Sequence, residues 1–253
     1  MKARILGCGS SGGVPRVGSG WGACDPANPR NRRTRSSILV SCGRTRILVD
    51  TSPDMREQLL AADCHRLDAV FYTHVHADQA HGIDDLRGMV LVTRQRIPVY
   101  GEAEVLNQLK DRFDYCFRQV KDYPPILTAH PIDSRIMIDD VPVTPVQVVH
   151  GSIAATGYRI GDIGYIPDVS DMSEDAFSAF DGLELLILDA LRYRPHPSHI
   201  HLDRALAWIA RLKPKKAVLT NLHVDMDYNT LCSVLPAGVA PAYDGLEIEV
   251  GPV

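Results

Sequence analysis

The chain has no closely paired cysteines, no long apolar run and no surplus of positive charge, and each absence removes a class of function. Its six cysteines, Cys8, Cys24, Cys42, Cys64, Cys116 and Cys232, never fall in a C-x-x-C spacing. Neither a zinc ribbon nor a disulfide framework is expected, and a cytoplasmic, reducing setting suits such scattered thiols best. The opening Met1-Lys2-Ala3-Arg4-Ile5-Leu6 runs into glycines, not into the apolar stretch of a secretion signal. No segment approaches the roughly 18 apolar residues of a membrane span, so no membrane partner is expected. Lys and Arg number 27 against 31 Asp and Glu, a net charge of −4. That gives no general attraction to nucleic acid.

The 253 residues, 45% hydrophobic and 23% charged, suit one globular domain over 1–253 with a sizeable core. Short apolar segments that stop at glycine or polar residues predict strands at 3–6, 37–40, 46–49, 68–72, 98–100, 134–138, 143–149, 156–160, 163–166, 185–188, 216–220 and 246–250, with another near Val239. Helical spacing predicts helices over 53–62, with Met55, Leu59 and Leu60 on one side, and over 83–93, 102–109, 173–180 and 201–212, with one more near the end. Residues 8–35 form a long irregular loop, and 111–131 carry no clear pattern. Strands followed by helices in each half predict a pseudo-symmetric α/β fold whose halves meet near 125–135.

Thr73-His74-Val75-His76-Ala77-Asp78-Gln79-Ala80-His81-Gly82 packs three histidines and an aspartate into eight residues directly after a predicted strand. Imidazole and carboxylate are the usual ligands of zinc and similar ions. Alternation along extended chain would put His74, His76 and Asp78 on one side. His150, Asp168 and His223 each follow the end of another predicted strand, where α/β folds place their sites. One such histidine alone would be read as a surface residue; six matched positions predict a metal centre.

H-x-H-x-D followed by a distant His, Asp and His resembles the metallo-β-lactamase superfamily, and Asp50 matches that superfamily's structural aspartate after an early strand. The resemblance covers nearly the whole chain and implies a four-layer αββα sandwich. Trp21-Gly22 in the glycine-rich start, Ser198-His199 ahead of a helix and Tyr243-Asp244-Gly245-Leu246-Glu247-Ile248 resemble the branch that hydrolyses phosphoribosyl 1,2-cyclic phosphate in phosphonate breakdown. A looser likeness extends to tRNA 3′-processing nucleases and to a pyrroloquinoline quinone biosynthesis protein.

The resemblance implies two divalent ions, zinc or manganese. His74, His76 and His150 would hold the first, Asp78 and His223 the second, and Asp168 would bridge them. It also implies hydrolysis of a small cyclic sugar phosphate or nucleotide-like phosphodiester by an activated water. Asp78 would orient that water and His199 would protonate the leaving oxygen, with His196 and His201 as alternatives for that role. The other readings are an RNA-end nuclease and a non-catalytic metal-binding carrier, and a homodimer is open.

Two departures stand out. Gln79 occupies the place where the family has His, and His81 follows two residues later, so either His81 compensates or the second site is weak. The branch's accessory zinc needs clustered cysteines and a late histidine, whereas this chain offers Cys24 and Met226, and no structural zinc is expected. The basic run Arg30-Asn31-Arg32-Arg33-Thr34-Arg35 reads either as a grip for a substrate phosphate or as a solvated loop. Gly7-Cys8-Gly9-Ser10-Ser11-Gly12-Gly13 lacks a P-loop lysine and reads as a tight turn beside the metals. Asp84 and Asp85 read as charges at a helix N-terminus.

Overall fold

The computed structural model describes residues 1–251. In chain order the first half runs β1 (Lys2–Gly7), β2 (Ser37–Cys42), β3 (Thr45–Val49), α1 (Met55–Ala61), β4 (Ala69–Phe71), α2 (Ala77–Ala80), α3 (Arg87–Thr93), β5 (Ile97–Gly101), α4 (Ala103–Arg112), α5 (Asp114–Phe117) and β6 (Leu127–Pro131). The second half runs β7 (Ile136–Ile138), β8 (Val141–His150), β9 (Ile153–Ile160), β10 (Ile163–Ile166), α6 (Glu174–Ala179), β11 (Leu185–Asp189), α7 (Leu202–Leu212), β12 (Lys216–Thr220), α8 (Tyr228–Val234), β13 (Val239–Pro241) and β14 (Glu247–Glu249).

Two seven-stranded sheets form, ordered β14-β1-β2-β3-β4-β5-β6 and β7-β8-β9-β10-β11-β12-β13. In each, the first three pairings are antiparallel and the last three parallel. The halves are therefore pseudo-symmetric and join between β6 and β7, within the expected region. One feature differs: the chain's last described strand, β14, crosses back to edge the first sheet.

Side-chain alternation explains the layers. Ile38, Val40, Ile47, Val49 and Phe71 point into a core shared with Tyr158, Ile163, Tyr165, Leu185, Ile187 and Val218 of the facing sheet. Their neighbours Leu39, Leu48 and Val70 point outward, onto Met55, Leu59, Val90, Leu106 and Leu109 of the first helical layer. Ile166, Leu186, Leu188 and Leu219 do the same on the other side, against Phe177, Ala205, Trp208, Ile209 and Leu231. Central strands covered on both faces read as unbroken apolar runs, and each fully buried aliphatic side chain contributes about 1.5–3 kcal/mol. The result is the four-layer αββα sandwich.

Some local expectations are corrected. Leu60 is 55% exposed, because α1 buries Met55, Gln58 and Leu59 instead. The helix expected over 83–93 is a 3₁₀ turn at Ile83–Leu86 followed by α3. The unpatterned stretch 111–131 holds the end of α4, then α5 and β6.

The long loop after β1 is held to the second half by a single-residue bridge, Gly9 to Leu222, and is folded on itself by another, Val14 to Arg33. Asp244 ties its ends to β1. The carboxylate accepts from the Thr34 N–H (2.7 Å), the Thr34 hydroxyl (2.6 Å) and the Cys8 N–H (3.1 Å). This is the structural content of the Tyr243–Ile248 segment.

Candidate metal centre

The expected residues gather at one edge of the sandwich, where the parallel strands of both sheets end. β4 delivers Thr73-His74, β8 ends at His150, β10 leads to Asp168 and β12 leads to His223. Asp50 and Asn221 follow β3 and β12 in the left-handed conformation, with φ of 64° and 60°, a region that Asp and Asn tolerate better than most residues. Gly82 makes the turn after α2 against Ser52, where a Cβ would fall 2.0 Å from the Ser52 carbonyl oxygen.

His74 is fixed by a buried relay. Asp50, fully buried, accepts from the Thr73 N–H (2.8 Å) and the Thr73 hydroxyl (2.9 Å), and Thr73 Oγ1 lies 3.0 Å from His74 Nδ1. With the hydroxyl proton given to Asp50, His74 Nδ1 carries the hydrogen and Nε2 keeps its lone pair. His150 Nδ1 donates to the Ser198 carbonyl at 2.7 Å, which leaves its Nε2 free as well. Hydrogen bonds of this kind on the far nitrogen set the tautomer of metal-binding histidines.

His74 Nε2 and His76 Nδ1 stand 3.0 Å apart, close to the roughly 3.3 Å between two ligands of a tetrahedral ion at about 2.0–2.1 Å. One nitrogen from each of His74, His76 and His150 lies within 4.8 Å of the others. Burial holds His74 well below the usual imidazole range and His150 at about 4. Both are neutral at pH 7, as ligands must be. This trio fits a divalent ion.

Beside it, an atom each of His150, Asp168 and His199 forms a second group within the same limit. Asp168 is 4% exposed and Asp189 fully buried. Burial raises both carboxyls. Asp189 Oδ2 lies 2.9 Å from His199 Nδ1, and Asn221 Nδ2 donates to Asp168 Oδ1 (3.4 Å) and Asp189 Oδ1 (3.2 Å). Burial lowers the His199 pKa, but the hydrogen bond and charge of Asp189, helped by Asp168 and Asp78, outweigh it and lift the value to about 9. Asp189 and Asn221 were not anticipated, although Asp189 carries the same signal as Asp168, an aspartate closing an apolar strand.

Asp78 and His223 stand on the wall of the same cleft but in neither group. The chain turns helical at Ala77, so Asp78 sits in the first turn of α2 and not in register with His74 and His76. Its Oδ2 accepts weakly from Gln79 Nε2 (3.4 Å). His223 lies between Asp225 (Nδ1, 2.9 Å) and Arg16 (Nε2, 3.1 Å). His81 does not compensate for Gln79. It is exposed and packs edge-on against Phe113. His196 lines the cleft, whereas His201 only precedes α7.

The cleft holds about 330 Å³ and is lined by Ser10, Ser11, Arg16 and Arg192 as well as the histidines and acids. The Arg30–Arg35 run is elsewhere. Arg30 stacks on Tyr228 and Tyr243, Arg33 is buried against Asn31 and Cys24, and Arg35 pairs with Asp54. Met226 lies in the outer apolar core. Asp84 pairs with Arg87. A larger groove of about 650 Å³ between α1 and α3, edged by Leu60, Leu91 and Val92, contains no comparable cluster. Among the described residues no helix is long and apolar enough to cross a membrane.

Comparison with known proteins agrees with this architecture. The chain is similar to a diphosphatase of the PhnP family of known crystal structure: 34% identity, TM-score 0.92, covering 99% of this chain and 98% of that one. It is 36% identical over 98% of its length to an octanoyltransferase of Porphyromonas gingivalis, and spans only about half (51%) of that relative. It is 27% identical to coenzyme PQQ synthesis protein B of Xanthomonas campestris, over 99% of this chain and 100% of the other. The family model of the beta-lactamase superfamily domain matches residues 45–221, from β3 to Asn221, and the chain belongs to that family, with the metallo-β-lactamase fold.

Proposed function

We propose that this protein is a metal-dependent hydrolase of a small phosphodiester, in the class of cyclic sugar phosphates or nucleotide-like diesters. The observation that carries the reading is the cleft's lining: Arg16 and Arg192, whose guanidinium groups also donate to His223 and to the Arg194 and Pro195 carbonyls, and three serines, Ser10, Ser11 and Ser198, share it with imidazoles and carboxylates. Guanidinium matches phosphate oxygens in charge and geometry. The similar PhnP-family diphosphatase supports phosphorus chemistry at such a site.

His74, His76 and His150, with Asp168 beside them, would hold the ion, zinc or manganese. When bound, a divalent ion there supplies Lewis acidity, activating water and offsetting charge on the phosphoryl oxygens. The chain's own groups do the rest. Arg16 and Arg192 bind and orient the phosphate. Asp78, on the cleft wall, accepts a proton from the incoming water. His199, kept protonated by Asp189, donates a proton to the departing oxygen. The donor is its Nε2, since Nδ1 is held by Asp189.

The same lining weighs against the alternatives. A nuclease gains little from a chain of net charge −4. An acyl chain finds only Leu191 as an apolar wall, so the name of the octanoyltransferase relative does not carry over to this half. A carrier has no use for the His199–Asp189 proton donor. Six unpaired thiols support a reducing, cytoplasmic location.

The test is kinetic. Arg16→Ala and Arg192→Ala are each expected to raise KM for a chromogenic phosphodiester about tenfold, the loss of one charge-assisted contact of about 1.5 kcal/mol. Unchanged KM in both variants would remove the phosphate grip and the reading with it.

A further inference from the structure

The second metal position, the one beside Asp78, Asp168 and His223, does not fit a metal ion. We propose that the chain's own donors have closed it, so that the protein binds a single ion at His74, His76 and His150. The inference rests on the reading of the site as a metal-dependent hydrolase and specifies its cation content.

Three observations converge. First, Gln79 is fully buried, and its Nε2 donates to Asp168 Oδ2 at 3.1 Å and to Asp78 Oδ2 at 3.4 Å. An amide NH₂ therefore sits between the two carboxylates that would have to share the ion, and an N–H donor cannot ligate one. Its Oε1 is buried without a partner, so the two acids alone set the amide's orientation. Turning the amide over would press a carbonyl oxygen onto two carboxylates.

Second, His223 has no free nitrogen. Nδ1 lies 2.9 Å from Asp225, and Nε2 lies 3.1 Å from Arg16 Nη1. Arginine stays protonated in proteins, so Nε2 is the acceptor and its lone pair is used. An ion at that lone pair would sit directly against a guanidinium charge. Third, each oxygen of Asp168 already accepts from a side-chain amide, Oδ2 from Gln79 and Oδ1 from Asn221, which leaves the carboxylate fewer lone pairs to share between two ions. The first position has no such cation against it. Three imidazole nitrogens converge there, with no arginine or lysine hydrogen-bonded to any of the three rings. Positive charge that a second ion would bring to the substrate phosphate comes from Arg16 instead.

The test counts ions. Purified protein is stripped with chelator, equilibrated with excess zinc or manganese, desalted and measured by elemental analysis. The expected content is one ion per chain. Gln79→Glu keeps the side-chain shape but replaces the donor with an acceptor, and Gln79→His supplies an imidazole nitrogen. At least one of these variants is expected to bind two ions. A second, independent readout is the electron spin resonance of the manganese form, which changes from an isolated to a spin-coupled signal when two ions are adjacent. Two ions in the unaltered protein would overturn the inference, as would one ion in both variants. No bound ion at all would instead overturn the metal-dependent reading.

Discussion

Asp168→Ala is expected to lower kcat/KM for a phosphodiester by about 10³-fold or more, a loss of roughly 4 kcal/mol of transition-state stabilisation. The size follows from its position. Asp168 is the one carboxylate grouped with both His150 and His199, and its oxygens anchor the amides of Gln79 and Asn221. Truncation removes an oxygen beside the ion, part of the charge that keeps His199 protonated, and the acceptors that fix two neighbouring side chains. Residues acting as such a unit lose far more together than any single contact is worth. Steady-state kinetics with parallel metal analysis checks this. A loss below tenfold with metal retained would show that Asp168 is peripheral.

Asp189→Asn is expected to cut kcat by about 10² or more while leaving metal content unchanged, which is the usual scale of a positioned general acid. Asp189 does not face the cleft. It acts through His199, so it is a positioning residue, and the pH profile separates that role from a purely structural one. His199, raised to about 9, must be protonated to act as an acid. Activity therefore holds through neutral pH and falls as pH rises past about 9. Without the Asp189 charge the falling limb moves toward the ordinary imidazole value of about 6.5. A drop in kcat with the limb unmoved would assign Asp189 to the fold alone. Linkage gives the matching sign for stability. A raised folded-state value means that the pair stabilises the protein fully below the unfolded-state pKa of about 6.5, and that this contribution is lost as pH climbs through about 9.

The sandwich was legible in the sequence because its central strands are covered on both faces. Ile47-Leu48-Val49 and Leu185-Leu186-Ile187-Leu188 admit no polar side, so they stand out as apolar runs. The imidazole trio was legible because His74 and His76 follow the apolar strand β4 in H-x-H spacing and His150 ends the predicted strand β8. What the sequence hid depends on contacts between distant segments. Nothing near Arg16 marks it as a cleft residue. It lies in a loop without periodicity and reaches His223, 207 positions away, only because Gly9 and Val14 are pinned by bridges. Arg30–Arg35 has the greater charge density, yet Arg33 turns inward and Arg30 stacks on tyrosines. Asp78 follows the H-x-H-x-D spacing but leaves the extended register because α2 begins one residue before it. The return of β14 to the first sheet is likewise a long-range pairing, Ala3 with Ile248, with no local signature.

In the proposed function, phosphodiester hydrolysis depends on an ion held by the imidazole trio beside Asp168. The most direct measurement is the rate on a chromogenic phosphodiester for one protein preparation in three states: as purified, stripped by chelator, and reloaded with manganese or zinc. Turnover that vanishes on stripping and returns on reloading is the predicted result. A rate indifferent to stripping, or a fully reloaded protein that leaves the diester intact, would contradict it.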